Sequence, residues 1–407
     1  MPKILKIIAW LIGILVGIVA LILLVAILVY PYEYVRRVLI WQESDVGDYL
    51  NNFPSRELVA APTAFYFNDA PAEERVAGHF ETLLQVDDFD AFLERENTQA
   101  FIVIQDDAIL FEKYFNETGR DSLLTSFSVA KSFASALIGI AITEGYIHSV
   151  DDPITDYLPE LAAREPGFED ITIRHLLMMA SGLDYQNMRW AILNGDDPLT
   201  TYYPDQRKAA LEFPQIINSP GEYFQYNKYH PQLLGMILER TTGKTVTQYM
   251  QEKIWDPLGM EFGGSMSLDS ESSGFEKMEA GINARAIDYA KFGRLYLQNG
   301  EWEGEQVIPS SWIEESIRVD QEGHGSAHYP DEFGQMIYDS LGGYYKYLWY
   351  GYFREGDDFD FTAEGDHGQY IYISPSKKLI IVRNGTAYGE LGNEDWLRLF
   401  HQFAGEY

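Results

Sequence analysis

From Ile7 to Tyr32 the chain carries no charged residue and nearly every side chain is apolar. Twenty-six such residues would form a helix roughly 39 Å long at 1.5 Å per residue. A bilayer core needs about 20 apolar residues. A secretory apolar region is shorter, about 7–15 residues, and ends at a small-residue cleavage site. No clear Ala-x-Ala site follows this run, so the pattern predicts an uncleaved single-pass anchor in a lipid bilayer through residues 7–32. Lys3 and Lys6 precede it and Arg36 and Arg37 follow it. That balance leans toward a cytoplasmic N-terminus and a periplasmic or extracellular soluble part. Gly13 and Gly17 have the small-x-x-x-small spacing of helix pairs, which chance also produces.

Residues 38–98 are mixed and acidic, with Pro54, Pro62 and Pro71. They predict a connector that packs onto the domain and a short helix near Asp87–Glu96. Phe101–Ile104 and Ile109–Tyr114 are β-rich runs around Gln105-Asp106-Asp107-Ala108, a hairpin signal. An apolar helix then runs from the Thr125–Ser128 region through Leu137 and Ile140 to Gly145. It is apolar on more than one face, as a buried central helix is. Asp151 or Asp152 can cap a short helix ending near Pro159. Ile173–Met179 is helical and stops at Ser181-Gly182-Leu183. Residues to about 280 read as helix and loop with few strand signals; Pro220-Gly221 is a turn, and Tyr226 stands just before a helix through Leu233–Leu238. Ala284–Leu297 is amphipathic. Strands return after 340 at Tyr344–Tyr352, Gln369–Ile373 and Leu379–Arg383, and Trp396–Phe403 closes the chain as a helix. An α/β region thus encloses a helical insertion, with no 20–50-residue repeat and no glycine-rich phosphate loop.

The formal net charge is −32, which repels phosphate backbones and argues against a nucleic-acid partner. It reads as a solvated acidic surface, with a cationic substrate the sharper alternative. There is no cysteine among the 407 residues. Disulfides, thiolate catalysis and Cys-ligated zinc are therefore excluded. No His-Glu-x-x-His pattern occurs. Asp87–Asp90 and Asp357–Asp360 lack EF-hand spacing and read as solvated loops or helix starts, so neither metal nor cofactor is expected. His175, in an apolar helical run, reads as structural. The run Tyr344, Tyr345, Tyr347, Trp349, Tyr350 reads as strand packing, with one or two able to line a cleft.

The candidate chemistry begins at Ser128-Val129-Ala130-Lys131. Residues three apart share a helix face, so Ser128 Oγ and Lys131 Nζ can meet. A helix N-terminus also gathers unpaired N–H groups that suit an oxyanion. A serine hydroxyl needs a base to become a nucleophile. A lysine serves as one when burial or a neighbouring cation favours its neutral form. Such a tetrapeptide is expected about once by chance in a chain like this. A second copy, Ser374 to Lys377 beside Pro375, sits between strand-like runs as a turn. The rest of the chain must carry the assignment. The Gly-x-Ser-x-Gly elbow of other hydrolases is absent.

The further matching text is long. It comprises Thr125–Gly139, Val150–Leu161, Ile173–Tyr185, Pro220–Gly235, Gly281–Gly300 and Gly365–Arg383. Together these segments resemble the penicillin-recognising serine hydrolases, and within them the branch holding class C β-lactamases, DD-peptidases, family VIII esterases and 6-aminohexanoate-oligomer hydrolases. The resemblance spans about residues 100–390. It implies an α+β, β-lactamase/transpeptidase-like fold: an antiparallel sheet flanked by helices, a mostly helical lobe, and the site between them. The expected organisation is an anchor at 1–37, a connector at 38–98 and a hydrolase domain at 99–407. Within that domain, 99–149 and 285–407 form the α/β part and 150–284 the helical lobe.

By position, Ser128 and Lys131 match the first family motif and Tyr226 the tyrosine of the second. Ala363-Glu364-Gly365 matches the third, so the backbone N–H groups of Ser128 and Asp366 would form the oxyanion hole. The resemblance implies an acyl-enzyme on Ser128, with Tyr226 delivering a proton to the leaving group. Gly365, Lys228 and His367 are the further substrate-binding candidates. Two positions depart from the β-lactamase pattern. The second motif reads Tyr226-Asn227-Lys228 rather than Tyr-x-Asn. Ala363 stands where a Lys or His receives the substrate carboxylate, so a charge-assisted partner is lost. Gly365–Gln369 is closer to the aminohexanoate-oligomer hydrolase and esterase side. The expectation is a small-molecule linear amide or ester as substrate. A β-lactamase or DD-carboxypeptidase, with Lys228 as a displaced cation, and a catalytically silent sensor are the alternatives.

Overall fold

The computed structural model describes residues 3–41, 46–187, 195–318, 326–356 and 358–407. The apolar run forms a helix, Lys3–Val29, of 27 residues, and a second helix, Tyr32–Ile40, follows directly. Most side chains of the first helix are exposed, but Ala26 is fully buried. The last turn of the helix therefore touches the rest of the protein.

The predicted hairpin forms as Thr98–Gln105 against Ala108–Tyr114. Asp106 and Asp107 both have positive φ, at 50° and 62°, as a two-residue mirror-image turn requires. These strands sit within an eight-stranded sheet in the order 343–346, 349–353, 359–365, 369–374, 379–385, 98–105, 108–114, 68–69. All pairs are antiparallel except the last. Glu73–Leu84, Phe89–Arg95 and Gly392–Glu406 cover one face, where Phe80 stacks on Phe403 with ring centroids 4.1 Å apart. Ala286–Leu297 covers the other face. There Gly293 comes so near that an added Cβ would lie 2.8 Å from Ile371 Cγ2. Phe292 of this helix stacks at 3.6 Å on Phe133, which fixes the helix Ala130–Thr143 between the sheet and the helical lobe. This arrangement is the expected α+β, β-lactamase/transpeptidase-like fold, with the sheet flanked by helices.

Several elements differ from the sequence reading. The run Tyr344–Tyr352 is two strands, because Tyr347 and Leu348 both take positive φ and reverse the chain. The strand Phe359–Gly365 was masked by its acidic start. Asp360 is not a solvated loop residue; it is fully buried and bonded to Arg354, Tyr372 and His401. A second sheet, Ser55–Leu58, Gly264–Ser267, Ile282–Ala284 and Leu124–Thr125, was missed because its strands are two to four residues long. Its Leu124–Thr125 strand leads straight into Ser128.

Candidate active site

Leu124–Thr125 ends at Ser126, whose N–H donates to the Ile282 carbonyl at 2.8 Å. Phe127 then turns sharply, with φ of 43°, and Ser128 lies in a 3₁₀ turn, Phe127–Val129, rather than in the α-helix proper. Lys131 is in the first turn of that helix and is 1% exposed. Its Nζ donates to Ser128 Oγ at 2.7 Å and to the Glu279 carbonyl at 2.7 Å. The three-residue spacing thus produces the contact the sequence suggested.

Tyr226 comes from the loop ahead of the helix Tyr229–Thr242. Lys131 Nζ lies 4.9 Å from its ring centroid. The Ser128 and Tyr350 hydroxyls stand on the side of its hydroxyl and favour the phenolate. Removal from water pushes the phenol up to about 12, against the opposing pull of Ser128, Lys228 and Tyr350. At neutral pH the Tyr226 phenol therefore keeps its proton. Asn227 turns inward: its amide donates to the Leu183 carbonyl at 3.2 Å, and its Oδ1 accepts from Tyr229 N at 2.9 Å. Lys228 faces the cleft but is ion-paired with buried Asp197 at 2.7 Å.

The strand Phe359–Gly365 brings the third segment alongside. A Cβ on Gly365 would lie 2.3 Å from the Ser126 carbonyl oxygen and 3.1 Å from the Ser128 backbone nitrogen. Only a residue without a side chain allows that approach. Asp366 follows in the cleft wall, its carboxylate accepting from His367 N at 3.1 Å and from Tyr388 Oη at 3.3 Å. His367 places its ring 4.9 Å from that of Phe127. Ala363 is fully buried in the core.

Ser128, Tyr226, Lys228, Gly365 and Asp366 line one cleft of about 220 Å³, with Tyr185, Tyr350, Phe333, Asp197, Asp331, Glu364 and Asn393. Of the aromatic run, Tyr350 is the residue that reaches it. His175 has the structural role expected, its Nδ1 accepting from Thr172 N at 3.1 Å to cap a helix.

Sequence reasoning missed Asp197 and Glu364. Glu364 adjoins Gly365 and accepts from Tyr352 Oη at 2.6 Å and from Asn393 at 3.3 Å. Burial raises its carboxyl from the ordinary 4.5 to about 7, against those two donors. Its position beside a motif glycine was a usable signal; its burial was not.

The sequence model of the Beta-lactamase family matches residues 88–401. The 6-aminohexanoate-dimer hydrolase of Paenarthrobacter ureafaciens is 25% identical over 313 residues, 73% of this chain and 74% of that one. Esterase EstB of Burkholderia gladioli is 29% identical over 229 residues, 52% and 56% of the two chains. Among solved structures, a Bacillus anthracis protein provisionally named a 6-aminohexanoate-dimer hydrolase superposes with a TM-score of 0.73 at 22% identity, covering 90% of this chain and 93% of its own. A class C β-lactamase superposes with a TM-score of 0.58 at 15% identity, covering 82% and 97%.

Two expectations follow from this geometry. Gly365→Ala should force the strand away from the Ser128 turn and lower kcat by about 10²-fold or more, measured on an activated ester; an unchanged kcat would contradict the close approach. For Glu364, both folded and unfolded chains hold the proton below pH 4.5. Between pH 4.5 and 7 only the unfolded chain ionises, so stability falls, and above about pH 7 the loss is complete. Glu364→Gln should therefore raise the melting midpoint at pH 8, by an amount equivalent to at most about 3 kcal/mol, and leave it unchanged at pH 4.

Proposed function

The chain belongs to the Beta-lactamase family and is a serine hydrolase; on that premise we propose that it is membrane-anchored and cleaves an amide or ester through an acyl-enzyme on Ser128. The observation that carries this reading is the buried Lys131 Nζ held 2.7 Å from Ser128 Oγ. Ser128 Oγ attacks the carbonyl carbon while its proton passes to Lys131 Nζ, which accepts it only in the neutral form. The backbone N–H groups of Ser128 and Asp366 receive the developing oxyanion, an interaction worth several kcal/mol of barrier. Tyr226 gives its phenolic proton to the departing nitrogen or oxygen as that bond breaks, and recovers a proton from Lys131. Water then attacks the Ser128 ester, and the same groups act in reverse.

The electrostatics of the cleft favour a linear amide or ester over a penicillin. Asp197, Asp331, Glu364 and Asp366 all line it. Lys228, the cation among the described lining residues, is engaged by Asp197, and Ala363 offers no charge. A substrate carboxylate placed at the third motif would meet the Asp366 carboxylate and Glu364, which keeps part of its proton at neutral pH, with no free counter-charge among the described lining residues. The similarity to a 6-aminohexanoate-dimer hydrolase and an esterase agrees with this choice.

Anchoring is supported by the Lys3–Val29 helix, with a mean hydropathy of 3.4 over its best 18 residues, and by the burial of Ala26. Cleavage of a signal segment beyond Ala26 would remove a residue packed against the domain. With Lys3 and Lys6 inside, the catalytic part lies on the periplasmic or extracellular side.

A fluorophosphonate probe should label the wild-type protein and not Ser128→Ala, read by intact-mass spectrometry; labelling of both, or of neither together with no ester turnover, contradicts the assignment. Tyr226→Phe should lose about 10²-fold or more in kcat on an alkyl amide and clearly less on a p-nitrophenyl ester, whose leaving group needs no proton. An equal loss on both would remove Tyr226 from the acid role.

A further inference from the structure

The junction between the apolar helix and the domain is a packed seam rather than a free tether. Along it, Leu23 and Tyr30 are half-buried and Ala26, Tyr34 and Arg37 are buried. Their spacing of three and four residues is one helix face, and it continues past Pro31 from the membrane helix into Tyr32–Ile40. Tyr30 packs against Phe213 with ring centroids 6.3 Å apart, and Tyr34 against Tyr203 at 5.8 Å. The Arg37 guanidinium donates to the carbonyls of Asp269 at 2.5 Å and Tyr202 at 3.3 Å. A buried cation held by backbone carbonyls resists displacement, because releasing it leaves those carbonyls unpaired.

The helix this seam grips, Asp196–Tyr202, is also a wall of the cleft. Its Asp197 lines the cleft and pairs with Lys228. From Asp197 to Tyr202 is roughly 7–8 Å along the helix axis. Phe127, the residue before the nucleophile, shares an apolar cluster with Ala26, Tyr34 and Leu199. The exit of the membrane helix and the catalytic serine thus lie on two sides of one short helix. The surroundings are apolar as well. Phe333, 36% exposed, stands in the cleft lining with its ring 5.1 Å from that of Tyr226. Ile217, 53% exposed, lies four residues beyond Phe213.

We propose that this seam holds the cleft at the membrane surface, so that the substrate is a bilayer-borne amphiphile whose apolar tail stays in lipid while its amide or ester reaches Ser128. The proposal deepens the reading of a membrane-anchored hydrolase and rests on it. The net charge of −32 disfavours anionic lipid, so the amphiphile is neutral or cationic.

The test uses the full chain in neutral phosphatidylcholine vesicles. A long-chain fluorogenic ester is placed either in the same vesicles or in separate ones at equal bulk concentration, with p-nitrophenyl acetate as the water-soluble reference. Hydrolysis at least tenfold faster in the same vesicles is expected. Equal rates with acetate turnover intact would overturn the membrane-borne substrate alone; no turnover of either ester would overturn the hydrolase reading and this proposal with it. Because the chain has no cysteine, Ile217→Cys and Lys378→Cys each give a single labelling site. Lys378 lies beyond the far end of the strand Gln369–Ser374, whose first residue pairs with Gly365 beside the cleft. A bimane at 217 should be quenched by shallow spin-labelled lipid and one at 378 should not; equal quenching, or none at 217, would overturn the fixed placement.

Discussion

The site depends on one buried amine held between two oxygens. Lys131 Nζ reaches Ser128 Oγ in the turn just ahead of its helix and the Glu279 carbonyl from a distant segment. That second contact is itself supported. The Glu279 carboxylate is paired with Lys277 at 2.5 Å, both fully buried, and Lys277 also donates to the Thr201 carbonyl at 2.9 Å. Lys277 Nζ further lies 4.6 Å from the centroid of the Phe53 ring. A buried ion pair adds little net stability over apolar packing, but breaking it is costly. Its effect here is on position: Lys131, Glu279 and Lys277 link Ser128 to the Thr201 carbonyl and to the Phe53 ring.

Around that fixed centre, the cleft draws its walls from different parts of the fold. Ser128 and Tyr226 come from the turn before the helix Ala130–Thr143 and from the loop before Tyr229–Thr242. The rest of the described lining comes largely from the sheet edge and from Asp196–Tyr202, and it is rich in acidic and aromatic residues. One residue out of place relative to the family pattern, Asn227 spends both ends of its amide on the Leu183 carbonyl and the Tyr229 N–H, so its work is structural.

Local patterns were legible in the sequence. The hairpin at Asp106-Asp107, the helix Ile173–Leu177, the amphipathic helix Ala286–Leu297 and the strands Gln369–Ser374 and Leu379–Gly385 follow from periodicity and turn chemistry. The positions of Ser128, Lys131, Tyr226 and Gly365 in one cleft came from resemblance, because no local pattern joins residues 100 to 240 apart. What stayed hidden was set by partners distant in sequence. Asp357–Asp360 reads as a solvated loop or helix start because the partners of Asp360, namely Arg354, Tyr372 and His401, are brought to it by the fold. The small sheet has strands too short to show alternation. Lys228 looked like a spare cation because Asp197 joins it from another helix. The Glu364 proton is a property of burial, which composition does not encode.

Phe127 has a consequence of its own. A bulky residue at positive φ stores of order 1–3 kcal/mol of backbone strain, and glycine would relieve it. Yet the Phe127 ring is buried in the cluster it shares with Ala26, Leu199 and Ala280, and this packing orients the turn that presents Ser128. The position therefore faces two opposed demands, a relaxed backbone and a sharply aimed hydroxyl. With an aromatic ring there, the chain accepts backbone strain in exchange for a fixed direction of the Ser128 turn.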